Sequence, residues 1–302
     1  MRNANTRNLV QLHFVIFIFG FTSILGELIS INSVALVWYR MLIASILLGG
    51  YVLILKKDDL KLDRHLSFGL LLAGSLIALH WVAFFEAIKL VGISITLSML
   101  SSGALFTAFL EPIFYKRKLL LYELFFGALA VVGILMIYNT SPEGWLGILI
   151  AIFAAALAAL FALLNGKLIA HKPPSIITFY EMLVGTVCIS IYLFFTEGFN
   201  DDLFNLRNTD ILWLIILGSL CTAYAINVAT AVMKTISPFS VMLTVNLEPV
   251  YGIILAFLIF GEDQLMDTNF YIGLTIIILA VLLNSIYKSN KLKPKKRPSN
   301  SL

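Results

Sequence analysis

The sequence predicts an all-α integral membrane protein, with ten transmembrane helices arranged as two five-helix inverted-topology repeats. Three observations predict it. Of the 302 residues, 60% are hydrophobic and 13% charged, about half the charge of an ordinary soluble domain, and the mean hydropathy is +0.96. Ten apolar stretches, each close to the roughly 20 residues that span a bilayer, are separated by breaks too short to hold a soluble domain. Faint internal matches run in order down two halves of five stretches each. Five is odd, so the second half enters the membrane from the opposite side.

The first stretch, 9–29, follows Arg2 and Arg7. It continues past signal-peptide length with no A-x-A cleavage pattern, and so reads as a spanning helix. The second, 33–55, holds Arg40 inside Trp38-Tyr39-Arg40-Met41-Leu42, and the third, 66–88, holds His80, Trp81, Phe84 and Phe85. The fourth, 93–115, carries Ser98, Ser101, Ser102 and Gly103, and the fifth, 120–139, is almost wholly apolar. The sixth, 144–168, has a stripe of Ala151, Ala155 and Ala159 suited to close helix packing. The seventh, 174–196, holds Glu181; the eighth, 210–233, holds Tyr224 and Asn227 three apart on one face. The ninth, 238–261, carries Asn246, Glu248 and Pro249; the tenth, 269–288, has only Asn284. The chain thus divides into residues 1–139, 140–287 and a basic tail, 288–302, expected to be disordered.

Lysine and arginine set orientation, because they are retained on the cytoplasmic side. The N-terminus, the even-numbered loops and the tail carry 18 of them, against Lys89 and Arg207 in the odd-numbered loops. Both termini are therefore expected in the cytoplasm, with the chain in the cell inner (plasma) membrane. Cys188 and Cys221 lie in apolar runs and read as packing residues. The four histidines are scattered without metal-ligand spacing, and no G-x-x-x-x-G-K-[ST] loop is present, so neither a metal site, a cofactor nor an ATP-driven cycle is encoded. Nothing points to nucleic acid.

The internal matches place a candidate site. Trp38–Leu42 resembles Phe179-Tyr180-Glu181-Met182-Leu183 at an offset of 141, and an offset of 146 pairs Gly92 with Pro238, Ser94 with Ser240 and Leu97 with Leu243. Glu248 is ten residues into its helix, roughly 15 Å deep and near the midplane. Its counterpart at that offset is Ser102, followed by Gly103. A carboxyl at this depth costs about 2.5–3.5 kcal/mol even on a lenient insertion scale, and Pro249 deprives the helix of a backbone hydrogen bond. Polar neighbours of a kink explain this arrangement, and so does a substrate site, which is favoured. Ser101, Ser102 and Asn246 would supply polar contacts; Gly103 and Pro249 would act as hinges. Arg40 either binds a substrate carboxylate, a helix C-terminus or another acid, or snorkels to the outer interface. Arg40 and Glu181 enter from opposite faces, so their depths differ by roughly 10 Å and direct contact is not expected. Trp81 and Phe84 suit an apolar side chain. His80 is either a packed, hydrogen-bonded residue or a proton sensor.

Phe19-Gly20 in the first helix, Arg40 in the second, and Glu248-Pro249, Phe260-Gly261-Glu262 and Ile272-Gly273 in the second half carry a resemblance to the drug/metabolite transporter superfamily, specifically its EamA type. The chain departs from that pattern at Gly103, where the family often has proline, and at Lys116-Arg117, where it often has a Gly-Glu turn. The resemblance covers about residues 9–288. It implies a secondary transporter, often an exporter, of small organic metabolites such as amino acids or related amphipathic compounds. Alternating access between the inverted repeats would follow. In that reading Arg40, His80, Trp81, Phe84, Ser101, Ser102, Tyr224, Asn227, Asn246 and Glu248 bind substrate, and Glu248 is a candidate for a coupling proton. Expected partners are a small-molecule substrate and the lipid bilayer; a homodimer is left open. The alternatives are a non-transporting membrane scaffold or a membrane-embedded enzyme, though no clustered acid, base or metal ligands for an enzyme stand out.

Overall fold

The structure, a computed structural model, describes residues 2–55, 60–116, 121–140, 142–236, 238–261 and 266–292. All its regular elements are helical: α1 (Arg2–Leu28), α2 (Ser33–Leu55), α3 (Arg64–Leu100), α4 (Gly103–Tyr115), α5 (Leu121–Thr140), α6 (Trp145–Leu168), α7 (Pro174–Phe195), α8 (Asp201–Phe204), α9 (Asn208–Gly218), α10 (Ala225–Val232), α11 (Pro238–Val245), α12 (Glu248–Phe260) and α13 (Thr268–Leu292). A π-helical turn, Ser219–Tyr224, joins α9 to α10. Among the described residues six helices are long and apolar enough to cross a membrane, counting α9, the π turn and α10 as one: Arg7–Leu28, Ser33–Leu55, Arg64–Leu100, Trp145–Leu168, Pro174–Phe195 and Asn208–Val232. Gly103–Tyr115, Phe125–Thr140, Glu248–Phe260 and Thr268–Asn284 are apolar but shorter. Large apolar side chains cover the outside, among them Ile54, Ile113, Leu121 and Phe195. Such a surface suits lipid, since a water-soluble chain rarely exposes so much contiguous apolar area.

The elements depart from the sequence expectation in several places. α3 runs through the expected break at residue 92 but turns there: Gly92 has φ 79° and ψ 170°, a conformation open to glycine and strained for residues with a Cβ. The expected fourth and ninth helices, 93–115 and 238–261, are both interrupted. The first breaks at Ser101-Ser102 and the second at Asn246-Leu247, each time leaving a 13-residue helix, α4 or α12, on the far side. Both breaks close with a tight three-residue turn, Ser102 N donating to Met99 O and Leu247 N donating to Thr244 O. The breaks are offset by 145 residues, so Ser101 is the backbone equivalent of Asn246, and Gly103 that of Glu248. The expected eighth helix, 210–233, is split by its π turn, and the short α8 forms in a segment read as loop. The tail begins helical, because α13 continues through Leu292. The Lys56–Asp59 loop, Arg117, Glu262 and residues 293–302 lie outside the described residues.

The two halves pack in matching pairs. α1 lies on α12 as α6 lies on α4; α2 lies on α7 and α5 on α13. Glycine sets two of these crossings. A Cβ on Gly133 would stand 2.7 Å from Gly273 O, and one on Gly273 would stand 2.7 Å from Gly133 O. A Cβ on Gly20 would stand 3.0 Å from Gly252 N. Without a hydrophobic driving force between helices in lipid, such backbone approach is how helices gain contact. Ala151, Ala155 and Ala159 are fully buried along α6, as the small-residue stripe leads one to expect.

Candidate functional site

Helices of both halves line a cavity of about 110 Å³. Phe19 and Thr22 of α1, Arg40 of α2, and Ile77, His80, Trp81, Phe84 and Leu100 of α3 line it from the first half. The second half contributes Ala158, Phe161 and Ala162 of α6, Ile226, Ala229 and Thr230 of α10, Met233 just beyond it, Val241, Met242 and Val245 of α11, and Glu248 of α12. The wall is apolar apart from Thr22, Arg40, His80, Thr230 and Glu248. A mostly apolar enclosure with a few converging polar groups is the usual form of a small-molecule site.

Arg40 is held rather than free. It is 1% exposed, so it does not snorkel to an interface. Its Nε donates to Thr222 Oγ1 at 2.6 Å, and Nη2 donates to Cys221 O at 3.4 Å. The π turn makes this possible: its wider winding lets Thr222 Oγ1 donate to Leu217 O, five residues back, while accepting from Arg40. π turns often sit at functional sites for such reasons. Gly218 lets α9 come close to α2; a Cβ there would stand 2.6 Å from Ile43 Cβ and 3.2 Å from Arg40 O. The guanidinium lies over Trp81, its carbon 3.7 Å from the ring centroid, with Phe85 at 5.6 Å. A desolvated cation on a tryptophan face is worth about 2 kcal/mol. Nη1 is buried without a hydrogen-bond partner, leaving one donor edge of the fork unused.

Glu248 is buried at the first position of α12, with Pro249 directly after it. Proline tolerates this first turn because it has no N–H to leave unpaired there. The break thus turns an expected kink into a helix start, whose partial positive charge favours a carboxylate. No hydrogen bond or ion pair links Glu248 to Arg40 among the described residues, yet the two charges are close enough to act on each other. His80 shares its Nδ1 with Ala154 O at 2.8 Å and stacks on Phe84 at 6.2 Å between ring centroids.

The other expected site residues are placed differently. Ser101 and Ser102 are buried outside the cavity lining, and their hydroxyls donate to Leu97 O and Met99 O, 3.3 and 2.7 Å away. Each adds a second donor to a carbonyl that already accepts its own backbone N–H at the break. Asn246, at the second break, is buried behind the lining with Nδ2 unpartnered. Tyr224 is 44% exposed on the outer surface of the π turn; the wider winding rotates it away. Asn227 is also outside the lining, its Oδ1 unpartnered. Gly103 starts α4, where the helices pack closely: a Cβ would stand 3.0 Å from Met242 Cε and 3.4 Å from Ala155 O. Thr222, Thr22 and Phe161 carry no signal in the sequence, and Phe19 enters there only through the family resemblance, not as a lining residue. A threonine bonding to an arginine through a π turn has no local sequence signal, and one phenylalanine among 23 has none either.

Two halves of like packing, two interrupted helices and a cavity lined from both halves are the features of a repeat-built membrane protein. The EamA-like transporter family matches the chain twice, over residues 9–139 and 145–286. The chain belongs to that family and is a multi-pass membrane transporter of the drug/metabolite type. A protein of known crystal structure superposes with a TM-score of 0.69 at 12% identity, over 94% of this chain and 98% of that one; the likeness is one of fold. No curated protein matches the sequence.

Proposed function

We propose that the cavity binds a small zwitterionic metabolite, an amino acid or a close relative, and that the protein moves it outward by alternating access. The observation that carries this reading is the pairing of Arg40 and Glu248. They are opposite charges from different repeats, facing one buried cavity with no bond between them. Arg40 Nη1, the unused donor, meets the substrate carboxylate. Glu248, at the start of α12, meets the ammonium, or carries a coupling proton in its place. Trp81, Phe84, Phe19 and Phe161 surround an apolar side chain. Ser101, Ser102 and Asn246 shape the breaks, and the flanking half-helices tilt about them as one repeat rocks against the other. In this reading the chain crosses the inner membrane ten times, the fourth and ninth crossings each being two half-helices, with both termini in the cytoplasm. Membership of a transporter family favours transport over a scaffold or an enzyme.

The test begins with a comparison of metabolites in cells with and without the protein, followed by transport of the compounds that change, in proteoliposomes. Glu248→Gln retains shape and removes the charge. Loss of transport is expected; full activity with unchanged pH dependence would remove Glu248 from both proposed roles.

A further inference from the structure

A second buried polar group lies on the cytoplasmic side of the cavity in the proposed orientation, and no substrate contact accounts for it. Glu181 of α7 is the repeat counterpart of Arg40 by sequence offset. It is fully buried, and both of its carboxyl oxygens lack a hydrogen-bond partner. Asn165 of α6 is also fully buried, with both Oδ1 and Nδ2 unpartnered, and its side chain acts on the Glu181 carboxyl. Thr178, one helical turn before Glu181, is fully buried with its hydroxyl unpartnered. Asn165 stands one turn beyond Phe161 and Ala162, which line the cavity. The group is therefore separated from the cavity by about one helical turn.

Among the described residues no charge compensates this carboxyl. α7 packs against α2, α3 and α10, and α6 brings Asn165. On α2, Arg40 faces Trp81. On α3, His80 faces Ala154 O, and His65 is exposed near the helix start. On α6, Lys167 faces the rings of Phe114 and Tyr115. α10 has no ionisable residue. None of these charges acts on Glu181. An intramembrane acid without a counter-charge is costly to keep and marks a functional position.

We propose that Glu181 and Asn165 form a proton-binding site that couples proton movement to the transport cycle. The donor and acceptor inventory carries the assignment. A carboxylate only accepts, so it can satisfy Asn165 Nδ2 but leaves Asn165 Oδ1 unpaired. A carboxylic acid both donates and accepts. Once protonated, Glu181 donates its O–H to Asn165 Oδ1 and accepts from Asn165 Nδ2 through its other oxygen. One proton thus completes all four unpaired atoms and joins α6 to α7. Thr178 lies between this pair and the N-terminal end of α7, on the route by which water at the cytoplasmic face delivers the proton and takes it back. Losing the proton leaves an unpaired charge between the two helices and releases the tie between α6 and α7.

The proposal rests on the transport reading, but its test needs no substrate. Infrared difference spectra of the purified full-length protein are recorded across an acid-to-alkaline step, following the C=O stretch of protonated carboxyl groups. A band that disappears on deprotonation is expected in the wild type. Glu181→Gln is expected to lose that band. Asn165→Leu is expected to keep it at higher frequency, as a carboxyl freed from hydrogen bonding vibrates. Glu248→Gln is expected to retain it. An unchanged band in Glu181→Gln, or an unshifted one in Asn165→Leu, would overturn the assignment. A band that responds to exchange of choline for sodium at constant pH, and not to pH, would assign the site to sodium instead. Failure of transport by the wild type would leave these spectra standing and defeat only the transport reading.

Discussion

At the scale of single residues, the site depends on how Arg40 is satisfied. Thr222 gives it a hydroxyl, Cys221 a carbonyl and Trp81 a ring face. Thr222→Val keeps the shape and removes the acceptor, leaving Nε buried and unpaired. The expected loss is about 1.5–3 kcal/mol, the range for a hydrogen bond to a charged group, read as a lower unfolding temperature in detergent. Arg40→Lys retains the charge but loses the planar fork and most of the ring stacking. A weaker apparent substrate affinity with a retained fold is expected, checked by transport over a range of concentrations. An unaltered affinity would place the substrate carboxylate elsewhere. The sequence makes Arg40 and Glu248 legible because ionisable residues in apolar runs are rare. Tyr224 and Asn227 mislead for a physical reason. Their shared face assumes 3.6 residues per turn, and the π turn Ser219–Tyr224 breaks that count. Ser101 and Ser102 mislead because serine serves equally as substrate ligand and as helix-end cap.

At the scale of elements, helix crossings and loop ties carry the energetics. Gly133→Ala places a methyl 2.7 Å from the Gly273 carbonyl oxygen, and backbone there cannot move as a flexible side chain would. A destabilisation of about 1–3 kcal/mol is expected for such overpacking. Gly50→Ala, where a Cβ meets nothing within 4 Å, is expected to be neutral or to stabilise by up to about 1 kcal/mol, since alanine is the better helix former. Thermal unfolding of the two variants side by side checks the contrast; equal effects would contradict the close crossing of α5 and α13. A second tie closes the end of the bundle where α1 passes into α2. Asp210, buried in the first turn of α9, accepts from Ser30 N at 3.0 Å and from Ser30 Oγ at 2.6 Å. Asp210→Ala leaves both donors unpaired. The expected result is faster labelling of a cysteine placed at the neighbouring Ile31, measured with a membrane-impermeant thiol reagent; unchanged labelling would count against the tie. The first, second, sixth, seventh and eighth spans are readable to within a few residues from apolar length. The break in the fourth is not, because Ser101-Ser102-Gly103 contains no proline to signal it. Pro249 does signal the ninth, though as a kink rather than a fresh helix start.

At the scale of the molecule, the two halves share a backbone plan and differ in chemistry. Matching breaks, matching 13-residue half-helices and matching helix pairs follow from the repeat. The charges do not repeat. Position 40 holds an arginine at the cavity and its counterpart an acid behind it; position 248 holds an acid and its backbone equivalent is Gly103. In the proposed transport reading, inverted symmetry would supply two equivalent packings that open to opposite sides, and the unequal charges would let one cavity recognise both ends of a zwitterion. The most direct test loads proteoliposomes with apolar amino acids, and separately with the amines that lack only the carboxylate, and follows efflux by mass spectrometry for the wild type, Arg40→Gln and Glu248→Gln. The account predicts that the wild type releases the amino acids, that Glu248→Gln releases neither class, and that Arg40→Gln loses the amino acids while its handling of the amines stays at the wild-type level. Equal efflux of the amino acids by the wild type and both variants would contradict it.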